Sequence, residues 1–474
     1  MDVMNKLSPP KSVDPLTVLP RELAESILEY LSFKRRMNAC LVSKAWTQFI
    51  RSCPDLWRHL DLTHTRGKVK NAFISRAINV GRERLREVTL ANLWDFDKAL
   101  HALIENCPIE GMVLLADDLQ TRSLAVYLEE AKQLKKLTLG PDMGLSMKQI
   151  DPIMEALSDR LEEFDCRRVN RGYIQHNGFK DLIFPKLRLL SASIEDETIL
   201  NFHPLMKIAT QRSPFLDSLT IRHLKSHLAA TSIMFPCAHM QLTTLDITVP
   251  GICASHMQLP PSLVHLRVRS AERVSNGFWM KAGPSGLEPT IFHLPMLEEL
   301  HLEVWAMIMQ NAVFALGGQD GHVSSISSSR MVAKVTNDAK VNEGNDVEAT
   351  TPSKLRKLSI VGAKLNYLST SELFQHPRLR ELEELYFPGL ESCCDEDVKG
   401  IVESLPKLQT LDMSENHITG VGVRHIVESS PVKELIVNHC HSIGLDAIEW
   451  ARSTGMKVRY QLSEGGRGGS KIRH

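Results

Sequence analysis

The sequence carries no excess of either charge: 56 Lys and Arg balance 56 Asp and Glu over 474 residues. No whole-chain field therefore draws it to nucleic acid or to an anionic membrane, and neither is expected as a partner. No stretch approaches the roughly 18 uninterrupted apolar residues that a spanning helix needs. The opening segment Met1–Asp14 has no apolar core of the sort a secretory signal requires. Nine cysteines include no C-x-x-C pair, and there is no N-x-S/T sequon. Reduced thiols are expected, and with them a place in the cytoplasm, the nucleus or both. The sequence also lacks G-x-S-x-G, G-x-x-x-x-G-K-S/T, H-E-x-x-H and any G-x-G-x-x-G in a strand–turn–helix setting. Nothing points to an enzyme, and no cofactor is called for.

Near the N-terminus two apolar patterns at helical spacing are present. Leu23, Ile27, Leu28 and Leu31 form one stripe behind the entry Leu19-Pro20-Arg21-Glu22, where Pro suits a helix start. After a short basic stretch, Lys34-Arg35-Arg36, the second pattern runs through Cys40, Leu41, Val42, Ala45, Trp46, Phe49 and Ile50. Two short amphipathic helices are predicted. A module of some 45 residues keeps a large share of its surface exposed, so part of this apolar surface should face a partner.

The series L-P-x-E-L-x-x-x-I-L-x-Y-L from Leu19, V-S-K-x-W over Val42 to Trp46, and Leu56-Trp57 resembles the F-box motif, across roughly residues 16–60. The resemblance implies docking on the Skp-type adaptor of a ubiquitin ligase and, through it, on a cullin. It implies that Leu19, Pro20, Leu23, Ile27, Leu28, Leu31, Val42 and Trp46 form or support the adaptor-facing surface.

The remainder repeats itself. L-x-x-L-x-L-like hexamers begin at 57, 85, 109, 134, 161, 187, 216, 242, 263, 297, 355, 382, 408 and 432, as in Leu216-Leu219-Ile221 and Leu408-Leu411-Met413. Most spacings fall within the range of leucine-rich repeats. The last units resemble those found behind F-boxes, with Asn416 and Cys440 in the turn position. The fold class expected is α/β: a small all-α F-box module at 16–60, then a solenoid of about 13–14 repeats over 61–460, with a parallel concave sheet and helices outside. Residues 1–15 read as a flexible leader and 461–474 as a flexible tail. The interval of 58 residues between the hexamers at 297 and 355 includes a Ser-, Gly- and Asp-rich stretch, read as a disordered insertion at 310–353.

In such strands the side chains flanking the second and third apolar positions point to the open side. That places Arg222, His265, Arg267, Arg269, His301 and Tyr386 on the concave face, where guanidinium groups suit an acidic or phosphorylated protein target. Tyr386 is the candidate aromatic anchor. His439-Cys440-His441 has the look of a ligand cluster, but Cys in that slot follows from the repeat. The function expected is target recognition for ubiquitination and degradation. The alternative is a non-catalytic repeat scaffold or inhibitor whose F-box binds an adaptor without degradation.

Overall fold

The computed structural model describes residues 14–65, 67–115, 121–170, 182–195, 204–223, 235–248, 257–269, 280–283, 286–289, 294–308, 354–364, 374, 379–389 and 393–462. The expected insertion, most of the expected leader and nearly all of the expected tail lie outside them. The chain divides into two compact units, Met1–Ala192 and Ser193–His474. The division falls within the repeats, not between the helical module and the repeats.

The first unit opens with four helices where two were predicted: α1 (Pro15–Val18), α2 (Arg21–Glu29), α3 (Phe33–Ala39) and α4 (Lys44–Ser52). Asp14 caps α1 by accepting from Leu16 N, and Ser43 caps α4 by accepting from Trp46 N. The unpredicted α3 is the basic stretch. Its Arg36 is buried, and its guanidinium donates to the carbonyls of Leu56 and, at 3.5 Å, His59. Burial lowers the Arg36 pKa, while Glu29 opposes that shift. Arg36 therefore closes the helical module onto the chain that follows it, because a buried guanidinium must have acceptors.

That following chain is already sheet. β1 (His59–Asp61), β2 (Glu87–Ala91), β3 (Gly111–Leu115), β4 (Lys136–Leu139) and β6 (Glu163–Asn170) pair in parallel, while β5 (Leu145–Ser146) adds to β6. β7 (Leu189–Ile194) spans the division between the units. Between the strands run α5 (Asn71–Gly81), α6 (Phe96–Asn106), α7 (Thr121–Glu130) and α8 (Met147–Leu157), each packed on the next.

The second unit holds β8 (Ser218–His223), β10 (Thr244–Thr248), β12 (His265–Arg269), β15 (Glu299–Ile308), β16 (Lys357–Lys364), β17 (Glu384–Tyr386), β18 (Thr410–Asp412), β19 (Glu434–Ile436) and β20 (Lys457–Arg459) in parallel order. Each predicted hexamer is followed by a strand two residues after its first position, including the weak ones at 109, 161 and 187. Three buried apolar residues per repeat, such as Leu242, Leu245 and Ile247, line the inside.

The described residues of the second unit hold α-helices chiefly at its start and its end. They form α9 (Pro204–Lys207) at its start and α10 (Asp395–Ser404), α11 (Gly420–Ser429) and α12 (Leu445–Ser453) at its end. Among the described residues between β8 and β16 the connections carry no α-helical segment. They hold a short parallel pair, β9 (Phe235–Pro236) with β11 (Met257–Gln258), and a hairpin, β13 (Met280–Gly283) with β14 (Gly286–Pro289). Pro236, Pro260 and Pro261 fall in these connections, and proline cannot donate to a helical ladder.

Turn residues tie the last repeats together. Buried Asn416 donates from Nδ2 to Phe387 O at 2.8 Å, and the Cys440 thiol donates to Met413 O at 3.1 Å. Asp395 accepts from Thr419 N at 2.8 Å and from Thr419 Oγ1 at 2.6 Å, joining α10 to the cap of α11. Replacing Asn416 with Ala leaves the Phe387 carbonyl buried without that donor, a cost of about 1–3 kcal/mol. Hydrogen exchange over β17–β19 should then accelerate about ten- to hundredfold.

Candidate functional site

Two surfaces present chemistry to partners. The first is apolar and lies on the helical module. On α2, Leu23 and Ile27 are each 54% exposed, one turn apart on a single face. Leu41 and Val42, between α3 and α4, are 84% and 66% exposed. Val18 and Tyr30 are also exposed. The other residues implied by the motif are placed differently. Leu28 is only 4% exposed and joins Ala24 inside, so it cannot meet a partner directly. The two stripes Leu23–Ile27 and Ala24–Leu28 are one residue apart in phase, and small Ala24 hides the inward one from a hydropathy reading. Leu19, Leu31 and Trp46 are half-buried, while Pro20 is exposed. The Trp46 indole N–H donates to Asp14 Oδ1 at 3.1 Å, which fixes the ring against the chain entering α1. Val18 and Leu41 are exposed residues outside the motif's series, and Tyr30 is an exposed one within it.

The second surface is polar and lies on the open face of the sheet in the second unit. Parallel register stacks three rows across it. One runs through Thr244, His265, Glu299, Lys357 and Glu384, the next through Asp246, Arg267, His301, Ser359 and Tyr386. The third row aligns Arg222, Thr248, Arg269 and Glu303. A cleft of about 560 Å³ opens among the first two rows, and His265, Arg267, His301 and Tyr386 all line it. Arg269 lies on the same strand just beyond the lining. Arg222 does not join them, since Thr248 stands between it and Arg269 in the row.

Most charges on this face are answered by a neighbour one strand away. His265 Nδ1 is 3.5 Å from Glu299, and Lys357 Nζ is 3.0 Å from Glu384 Oε2. Arg269 lies between Asp246, at 3.9 Å, and Glu303, at 3.7 Å. Tyr386 donates from its hydroxyl to Glu384 at 2.9 Å, and the Lys357 ammonium stands 5.2 Å above its ring. Burial and that carboxylate push the Tyr386 pKa up. The first unit pairs its open-face charges similarly, as in Lys136 with Glu163 at 2.7 Å.

His301 is held differently. Its Nδ1 lies 2.8 Å from Ser359 Oγ, and burial, with Arg267, Arg269 and Lys357 nearby, pulls its pKa down to about 4. An ordinary histidine titrates near 6.5. The folded state thus favours the neutral ring, so this stabilisation is complete above about pH 6.5 and is lost as pH falls toward 4. His301→Gln should flatten that part of the acid-side decline, measured as melting temperature between pH 4 and 7.

Among the described residues, no group of three or more His, Cys, Asp or Glu is placed to hold a metal ion. Cys440, from the His-Cys-His run, is buried and committed to its backbone bond. Cys394 and Asp397 form the capping box of α10. Buried thiols are held protonated, Cys166 and Cys237 with pKa values of about 12 through burial.

Residues 16–63 match the family described as F-box-like. The chain therefore joins an F-box-like helical module to leucine-rich repeats, the class of protein the N-terminal motif and the hexamers define. Among solved structures, it is similar to a chain of the yeast Rad7–Elc1 complex, at 11% identity, 90% coverage of each chain and a TM-score of 0.42. An internalin from Listeria monocytogenes is similar at 11% identity, covering 86% of this chain and 88% of that one, with a TM-score of 0.38. A leucine-rich-repeat protein of Leptospira interrogans is similar at 15% identity, covering 87% and 97%, with a TM-score of 0.36. No curated protein matches the sequence.

Proposed function

We propose that this chain is the target-recognition subunit of a Skp–cullin ubiquitin ligase, acting in the cytoplasm or nucleus. The observation that carries the reading is the set of large apolar side chains left exposed on an F-box-like module: Leu23, Ile27, Leu41 and Val42. An apolar patch of this kind marks a protein interface. The repeats hold the target on their open face, and other subunits transfer ubiquitin. The chain's contribution is proximity, which raises the local concentration of target lysines at the conjugating enzyme.

The test is target abundance. Proteins captured by the repeats should accumulate in cells whose only copy of this chain carries Leu23→Glu and Ile27→Glu, and should turn over normally with the wild-type chain. Unchanged abundance of every captured protein would instead support the second reading, a repeat scaffold whose F-box serves a purpose other than degradation.

A further inference from the structure

The cleft on the second unit has one cation without an opposite number. His265, Lys357 and Arg269 each face a carboxylate from an adjacent strand. Arg267 is exposed at the centre of the lining, and its guanidinium makes no hydrogen bond or ion pair among the described residues. Beside it, on the register-matched position of β10, Asp246 carries a buried Oδ1 with no hydrogen-bond partner among them. A free two-pronged donor thus sits one strand spacing, roughly 4.8 Å, from a carboxylate turned inward toward Arg269. On the other side of Arg267 stand neutral His301, Ser359 and the ring of Tyr386.

We propose that this cleft recognises an extended, unphosphorylated segment of the target through a single carboxylate seated on Arg267. The proposal rests on the reading of the repeats as the target-holding face, and it names the chemistry they select. The choice of carboxylate over phosphate follows from charge. A phosphate monoester brings about −1.5 to −2 at neutral pH and calls for more than one free cation. Among the cations of this lining only Arg267 is uncommitted, and Asp246 and Glu299 beside it would repel a dianion. Guanidinium and carboxylate match as a two-pronged pair, which one free arginine can satisfy. Tyr386, three strand spacings from Arg267 and with its hydroxyl already engaged by Glu384, offers its ring as a wall farther along the segment.

The experiment is selection of random 12-residue peptides on the full chain from two displayed libraries, one with both peptide ends blocked and one with a free C-terminus. Enrichment of Asp or Glu within the blocked library assigns the carboxylate to a side chain, and enrichment confined to the free-ended library assigns it to a chain terminus; either supports the proposal. Enriched synthetic peptides should bind Arg267→Ala about 10- to 100-fold more weakly, the loss expected for one charged hydrogen-bonded contact. Arg267→Glu should shift selection toward Lys- and Arg-containing peptides, a reversal that a purely structural role would not produce. A phosphoserine in place of the selected acid should bind no tighter. The proposal is overturned if neither library yields acid-bearing binders, if Arg267→Ala binds them as wild type does, or if the phosphoserine peptide gains tenfold. Adaptor capture, scored separately, keeps the two readings apart: a chain that captures the adaptor but selects no acidic peptide loses only this inference, and the converse loses only the ligase reading.

Discussion

A chain in which Leu23 and Ile27 are both changed to Glu should keep its melting profile and lose capture by a Skp-type adaptor by about 100-fold or more. Both side chains are half-exposed on one face of α2, so the folded chain alone gives up little packing when they change. In a complex they would lose the half of their surface that still meets water, worth about 1–1.5 kcal/mol each. Removing both therefore costs about 2–3 kcal/mol of affinity, and a carboxylate trapped against an apolar partner adds a further penalty that takes the loss to about 100-fold or more. Ala24→Glu or Leu28→Glu on the opposite stripe should do something else, lowering the melting temperature before any effect on capture is seen. The contrast is read by adaptor pull-down and thermal melting of the double variant and these two single ones. Capture retained by the Leu23/Ile27 variant would move the docking surface off α2.

Trp57→Ala should be strongly destabilising, at about 3–5 kcal/mol. The side chain is fully buried. Its ring meets Phe33 edge-on with centroids 5.4 Å apart, and its indole N–H donates to Ile50 O at 2.9 Å. It thereby joins α3 and α4 to the strand that starts the sheet, beside the Arg36 contacts with Leu56 and His59. Loss of Trp57 removes a large packed ring and the indole donor of the Ile50 carbonyl, which keeps only the longer bond from Cys53 N at 3.4 Å. Trp46→Ala, by comparison, removes a half-exposed ring with one bond to Asp14, so it should spare stability and weaken adaptor capture. Denaturant unfolding followed by hydrogen exchange within residues 14–115 separates the two outcomes.

The two tryptophans show where sequence reading stops. Both belong to the same motif, yet one is left half-exposed and the other is sealed in the core, and only packing distinguishes them. Hexamers were legible because alternation of period two survives even when individual anchors are weak, as with Ile109-Met112-Leu114. The terminal strand β20 escaped because its first anchor position is Gly455, leaving only Val458 and Tyr460 to mark it. Helix α3 escaped because Lys34-Arg35-Arg36 reads as a polar turn, although Arg36 finds backbone acceptors inside. On the open face the hexamer pattern carries no sign of how each charge is compensated. Glu299 answers His265 from 34 residues along the chain, and Glu384 answers Lys357 from 27 residues along. Those partners are set by strand register, and that is why the apparent basic cluster reduces, within the cleft, to one free guanidinium at Arg267.

The most direct measurement is hydrogen exchange on the full wild-type chain with and without a Skp-type adaptor. Protection confined to α2–α4 and the turns joining them, with exchange over β8–β17 unchanged, is the result expected of a chain that hooks the ligase by its helices and leaves its repeats open for a target. Failure of the folded chain to form the complex, or protection that falls on the repeat face instead, would contradict the account.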